Sequence, residues 1–185
     1  MVSSATEPLL IIGGGLMGLT VAHELARNGR SIKILSRRRS EAAGFVAAGM
    51  LAPHAEGLQG NLLKLGQLSL KRIPRWVQKI EEDSGLNCGL KNCGIVVPFI
   101  STEARDAHPT ALFGHSLNRQ ELELEIPGIA SQWKTALLFK QDGQIDNRRQ
   151  LMRALEEAED NLVIDPYSRS VIEGAMQFES LKVRD

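Results

Sequence analysis

Gly13, Gly15 and Gly18 are the residues whose type and spacing first suggest chemistry. Leu9–Gly18 reads Leu-Leu-Ile-Ile-Gly-Gly-Gly-Leu-Met-Gly, an apolar strand-like run entering Gly-x-Gly-x-x-Gly. In that pattern Gly13 allows the tight turn and Gly15 lets backbone approach a pyrophosphate. Gly18 lets the following helix pack against the strand. A helix beginning there points its N-terminal N–H groups and positive dipole end at the phosphates. The chemistry implied is the holding of a dinucleotide.

Other residues with chemical potential are fewer. Ser36 ends the next strand-like run and is followed by Arg37, Arg38 and Arg39. In a nicotinamide enzyme such arginines would meet the 2′-phosphate of NADP. A solvated basic loop, stacking on adenine or a diphosphate contact are the other readings. His54, beside Pro53 in a loop, reads as a packing or hydrogen-bonding residue rather than a base. Cys88 and Cys93 are the only cysteines. They are too few for a disulfide framework, their gap is not Cys-x-x-Cys, and no His pair nearby has zinc spacing. No metal is expected; two reduced thiols, at least one of them buried, fit a reducing cytoplasm.

The elements that must position these residues follow from periodicity and punctuation. Leu19–Asn28 is helix-like and closed by Gly29, and Ser31–Leu35 is a second strand. Ser36–Gly44 is a polar, basic loop. Phe45–Ala55 is small and apolar but broken by Gly49 and Pro53, so it is expected to lie against something flat and buried. Leu62–Asp83 is a helix with Ile73, Trp76, Val77 and Ile80 on one stripe. Pro74 would kink it or begin its second half, and Gly85 ends it. Gly94–Ile100 is a strand that Pro98 places at an edge. Asn118–Glu125 is a short helix and Trp133–Lys140 a strand. Asp142–Asp146 is a turn leading to a helix over Asn147–Glu159, with Asp146 or Asn147 as N-cap and Leu151 and Leu155 inward. Leu162–Ile164 is a third short strand, and Val171–Val183 looks like a β-hairpin.

Strands separated by helices imply an α/β fold with a Rossmann-like parallel sheet. The strand-rich excursion from about residue 85 to 144 implies a mixed second lobe. The expected division is 1–84 with 145–185 as the nucleotide domain, discontinuous and incomplete, and 85–144 as the start of the substrate lobe. Hydrophobic content of 43% and charged content of 24% fit a globular chain. Lys plus Arg and Asp plus Glu both number 22, which argues against a nucleic-acid binder. No apolar run approaches the roughly 20 residues that span a membrane, and Met1–Thr6 does not read as a signal peptide.

Three stretches together resemble the flavin-dependent amino-acid oxidases of the D-amino-acid oxidase and glycine oxidase group. They are Ile11–Gly18 with its helix, Ala47–Glu56 (Ala-Ala-Gly-Met-Leu-Ala-Pro-His-Ala-Glu), and Asp142–Leu155. Within that group the glycine oxidases of thiamine biosynthesis are most similar. The likeness runs through nearly the whole chain but covers about the first half of a typical member. It implies FAD as cofactor. Gly13, Gly15, Leu16, Met17 and Gly18 would hold the pyrophosphate, Ser36 and Arg37 would lie at the adenosine ribose, and Ala43 and Gly44 near the phosphates. Ala48, Gly49 and Met50 would run along the isoalloxazine ring. Small residues let backbone amides approach the flavin there, and Met offers a polarizable contact to an aromatic ring.

The chain departs from the family pattern in two places. An acidic residue usually ends the second strand to bind the ribose hydroxyls; here it is Ser36, whose hydroxyl cannot match a carboxylate's paired, charge-assisted bonds. The family's substrate-binding arginine and tyrosine would lie beyond Asp185, so no catalytic residue is assigned, and Arg148, Arg149 and Arg153 read as solvated or interface residues. The expected function is the FAD-binding N-terminal portion of an oxidase that turns glycine or a similar small amine into an imine, with oxygen reoxidising the flavin. The chain alone is expected to be incomplete for turnover; a fusion or a separately encoded second half would restore it, and the expected protein partners are a second copy in a homo-oligomer or that separately encoded half. An NADP-dependent reductase and a non-catalytic nucleotide-binding remnant are the competing readings.

Overall fold

The computed structural model describes residues 7–36, 42–147, 151, 153–155 and 157–158. Arg37, Arg148, Arg149, the expected strand at 162–164 and the hairpin at 171–183 lie outside the described residues.

Strand β1 (Leu9–Ile12) pairs in parallel with β2 (Ile32–Leu35), with Leu9 opposite Ile32 and Ile12 opposite Leu35. Parallel neighbours need a crossover between them, and α1 (Leu16–Arg27) supplies it. The helix begins three residues earlier than expected. Leu16, Met17 and Gly18 therefore form its first turn rather than a separate loop. Its C-terminus closes as a Schellman turn: Gly29 N–H donates to Ala26 and Arg30 N–H to Leu25. Leu19 and Ala22 are buried on its inner face. Burying a leucine of this kind stabilises the fold by about 2 kcal/mol.

The described residues form two units. One comprises the chain up to Ala48, Val77–Gly89 and the residues from Asp146 onward; the other comprises Gly49–Trp76 and Leu90–Ile145. Helix α2 (Gly60–Ser84) runs through Pro74 as one continuous element. Val77 and Ile80 are buried and Ile73 and Trp76 half-buried. Burial of that stripe offsets the roughly 3 kcal/mol that an interior proline costs a helix.

In the first unit α1 is tied to the end of α2 by polar contacts. His23 Nε2 lies 2.8 Å from Asp83 Oδ2, and Arg27 pairs with the same carboxylate. Burial pushes the Asp83 carboxyl up, but hydrogen bonds and charge from Arg27 and His23 outweigh it and hold its pKa below the ordinary 3.8. Cys88 is buried and its thiol is pushed up to about 12, by burial first and the Glu81 carboxylate second.

The second unit is built on an antiparallel sheet. Strand β4 (Ile95–Phe99) lies at one edge, as Pro98 requires. After it come helix α3 (Thr102–Asp106), strand β5 (His115–Leu117), helix α4 (Arg119–Glu125) and strand β6 (Thr135–Phe139). The central strand is β6, with four of its five residues buried. Helix α4 opens on a capping box: Asn118 Oδ1 accepts from Gln120 and Glu121, and the Glu121 side chain accepts from Asn118 N–H. Leu117, Leu122 and Ala136 form the core, with Val96, Ile129, Trp133 and Leu138 around them.

Other segments also differ from the sequence reading. Within Phe45–Ala55, Met50–Leu51 forms a short strand, β3, and Gly143–Gln144 is not merely a turn but its antiparallel partner β7. Two-residue strands carry no periodic signal, and only pairing across some 90 residues of sequence creates them. The helical segment after Asp146 opens on a wide turn, with Leu151 N–H donating to Asp146 C=O at 2.8 Å. Leu151 and Leu155 face inward as expected.

Candidate functional site

The site is built where β1 ends. Gly13 has φ +110°, a conformation closed to most side chains, and its N–H donates to Leu35 C=O at 2.8 Å. The turn is thus pinned to the end of β2. A Cβ at Gly18 would sit 1.8 Å from the Gly13 carbonyl oxygen, so this position admits only hydrogen. The strand–helix approach that the glycine spacing predicts is therefore physically present.

The first N–H groups of a helix have no acceptor within it. Here Leu19 is the first to find one, on Gly15 C=O at 3.0 Å. The amides of Leu16, Met17 and Gly18 precede it in the cradle, and no acidic side chain lies in the first turn. This is the arrangement that accepts a phosphate.

Above the cradle lies a cavity of about 690 Å³, lined by residues 12–18, Ser36, Ala42, Ala43, Gly44, Ala47 and Asn147. Of the residues expected to contact a cofactor, it gathers Gly13, Gly15, Leu16, Met17, Gly18, Ser36, Ala43 and Gly44. Arg37 lies outside the described residues. Ala48, Gly49 and Met50 are not in the lining. Met50 is 54% exposed and paired with Gln144.

The sequence reading missed Ile12, Gly14, Ala42, Ala47 and Asn147 in this lining. Asn147 was legible as a polar residue at a helix start, but its partner was not. Its Nδ2 donates to Gly44 C=O at 2.8 Å, 103 residues away, and so fixes the 3-10 turn at Ala43–Phe45. Among the described residues no lining side chain carries a charge. A bound diphosphate would therefore be held by backbone N–H groups and the α1 dipole. Ile12 and Met17 supply an apolar surface, each about three-quarters exposed. Backbone donors, a glycine-only approach and an apolar flank together fit the diphosphate end of FAD.

His54 lies elsewhere, in the second unit, and is 1% exposed. Its Nδ1 is 2.6 Å from Asp142 Oδ1 and its Nε2 is 3.2 Å from the Gln67 amide. The ring stacks on Phe139 and tilts against Phe113. Enclosed on all these sides, it is a hydrogen-bonding residue, as the sequence suggested. Among the described residues no cluster of three or more His, Cys, Asp or Glu is placed to hold a metal ion. No helix among them is long and apolar enough to cross a membrane.

Comparison with known proteins gives a consistent result. The profile of the DAO family, FAD dependent oxidoreductase, matches residues 9–175. The Bifunctional protein ThiO/ThiG of Synechocystis sp. is 35% identical over 160 residues, covering 85% of this chain and 24% of that protein. The crystal structure of glycine oxidase from Geobacillus kaustophilus superposes with a TM-score of 0.74 at 25% identity, over 83% of this chain and 44% of that one. Glycine oxidase from Bacillus cereus gives a TM-score of 0.73 at 21% identity, over 85% and 44%. The chain thus spans about a quarter of its bifunctional relatives and less than half of these solved oxidases.

Proposed function

The chain belongs to the FAD dependent oxidoreductase family, and from that premise we propose that it is the FAD-binding portion of an amine or amino-acid oxidase resembling glycine oxidase. The observation that carries this reading is the cradle of Leu16, Met17 and Gly18 amides beneath a cavity whose described lining residues are uncharged. Gly13, Gly15, Leu16, Met17 and Gly18 hold the FAD pyrophosphate. Ser36 and Arg37 meet the adenosine ribose, Ala43 and Gly44 lie near the phosphates, and Ala48, Gly49 and Met50 run along the flavin ring. By role, residues 1–84 and 145–185 are the cofactor domain and 85–144 the start of the substrate lobe, a division that cuts the chain differently from the two compact units, which group 49–76 with 90–145.

Gly13–Gly18 and the Ala43–Gly44 turn would hold FAD, which when bound would supply a hydride acceptor for oxidation of the amine to an imine, with dioxygen as the terminal two-electron oxidant giving hydrogen peroxide. The chain's own contribution is binding and orientation. Backbone N–H groups neutralise the diphosphate, and Asn147 keeps the Gly44 turn in place. The substrate is glycine or a similar small amine, and its imine serves thiamine thiazole formation. The glycine oxidases and ThiO/ThiG proteins among the similar chains support that assignment. A cytoplasmic setting fits a chain with two cysteines, both free.

Titration with FAD and with NADPH tests the reading. Binding of FAD with quenched flavin fluorescence, and none of NADPH, is the expected result. Tight NADPH binding without flavin would reverse it in favour of a reductase using Ser36 and the arginines after it. In the complete protein, glycine-dependent peroxide release is expected.

A further inference from the structure

Strand β3 has two residues, Met50 and Leu51, and its partner β7 has two. A ladder this short cannot fix its own register, and a slip of one residue would turn Met50 to the opposite face. Yet this is the stretch proposed to lie along the flavin. Something outside the ladder must set it.

The structure places one buried cluster at the end of the ladder. Asp142 directly precedes β7 and is fully buried. One carboxylate oxygen accepts from the Ala55 N–H at 2.7 Å and the His54 N–H at 3.2 Å. The other lies 2.6 Å from His54 Nδ1. All three bonds reach the turn that begins just after β3. His54 is in turn held from two further directions. The Gln67 amide of α2 lies 3.2 Å from Nε2, and the buried Thr110 hydroxyl donates to the His54 carbonyl. At the ladder's other end Ile145 N–H donates to Gly49 C=O at 2.9 Å, and Lys91 and Gln144 exchange two bonds of 2.8 and 3.0 Å.

A buried carboxylate is costly unless fully hydrogen-bonded, and an apolar pair of the same volume would hold the fold as well. What an apolar pair lacks is direction. We infer that His54 and Asp142 are positioning residues, a polar clamp that fixes the register of Gly49–Leu51 and so the height at which this backbone meets the flavin ring. The inference rests on the reading of Ala48–Met50 as the flavin-facing stretch.

Two measurements test it together: amide hydrogen exchange of the flavin-free protein, and the visible absorption spectrum of the complete protein saturated with FAD. Asp142→Ala removes all three bonds. His54→Phe keeps the ring packing and both backbone bonds to Asp142 but loses the Nδ1 and Nε2 contacts. Asp142→Asn is the conservative variant, retaining an acceptor for the Ala55 N–H. The expected result is exchange at Ile145 at least ten-fold faster in Asp142→Ala and several-fold faster in His54→Phe, with α1 and β6 losing no more protection than the change in global stability accounts for. The flavin band should shift in both, and Asp142→Asn should recover most of each change. If Asp142→Ala does not fold, His54→Phe decides.

Wild-type exchange and an unshifted flavin band in folded His54→Phe would overturn the inference. Ala48→Leu separates it from the reading beneath it. A shifted band there, with no change in His54→Phe, sinks the clamp alone; an unshifted band in Ala48→Leu sinks the flavin-facing reading and the clamp's role with it.

Discussion

The glycine turn of the first unit and the His54–Asp142 clamp of the second both hold a short backbone segment in place, by opposite means. At Gly13–Gly18 the work is done by what is missing. Without a Cβ at Gly18 the helix closes to van der Waals distance of the Gly13 carbonyl, and the partners are five residues apart. At Met50–Leu51 the work is done by side chains that are present. One carboxylate gathers three bonds across 88 residues of sequence and 87 in the case of Ala55. Local sterics make the first rigid and cheap. The second needs a folded core around it, because a carboxylate binds its partners this firmly only where water is excluded.

The comparison can be broken most severely at Gly18. Gly18→Val should cost about 5 kcal/mol or more, since backbone rather than a movable side chain blocks the new Cβ. Thermal melts and FAD titration should show both destabilisation and loss of binding. Asp142→Ala comes next. It strands two N–H groups and a ring nitrogen in the interior, and should lower stability by about 3 kcal/mol in urea unfolding.

A third test asks whether a polar contact in the first unit behaves like the clamp. Asp83→Asn should cost about 1 kcal/mol at neutral pH, because His23 and Arg27 keep a hydrogen-bond acceptor but lose its charge. The carboxyl of Asp83 is depressed in the folded state. Its stabilisation is therefore complete above the unfolded value near 3.8 and is lost as pH falls through the lower, folded value. Melting temperature measured between pH 6 and 2 should fall less steeply in Asp83→Asn than in the wild type.

The smallest effect is chemical rather than energetic. Cys88 belongs to the first unit and Cys93 to the second. With its thiol pushed up to about 12, Cys88 should resist alkylation at pH 8, while exposed Cys93 reacts. Mass spectrometry after brief iodoacetamide treatment should find one modified cysteine, and equal labelling of both would show that the first unit opens readily.

Much of the cofactor cradle was legible because its determinants are local. Glycine spacing after an apolar strand specifies a turn, a helix start and a close approach within ten residues, and the structure supplies all of them. Pro98 likewise announced an edge strand, and the Ile73–Ile80 stripe a buried helix face. Helix α3 was missed although Ser101 is a usable N-cap, its Oγ accepting from Ala104 N–H at 3.2 Å. A helix of five residues gives too little periodicity to read. A helix cap at Asp146 or Asn147 is legible in the sequence, but the bond from Asn147 to the Gly44 carbonyl requires two distant segments to be brought together.

His54 marks the same boundary from the other side. Its residue type and its neighbour Pro53 suggested a hydrogen-bonding role, and nothing near it in sequence named Asp142, Gln67 or Thr110 as partners.

The chain's amino acids settled on their own that a strand would bend at Gly13 into a helix, because the absence of side chains there acts over a few bonds. They also made the family legible, through the three stretches Ile11–Gly18, Ala47–Glu56 and Asp142–Leu155, and the family profile matches residues 9–175. Which carbonyl Asn147 reaches, which carboxylate holds His54, and that Met50 pairs with Gln144 were decided only by the tertiary structure. Those contacts join residues far apart in the chain, and hydrogen bonds gain their directionality and strength once folding has removed the competing water.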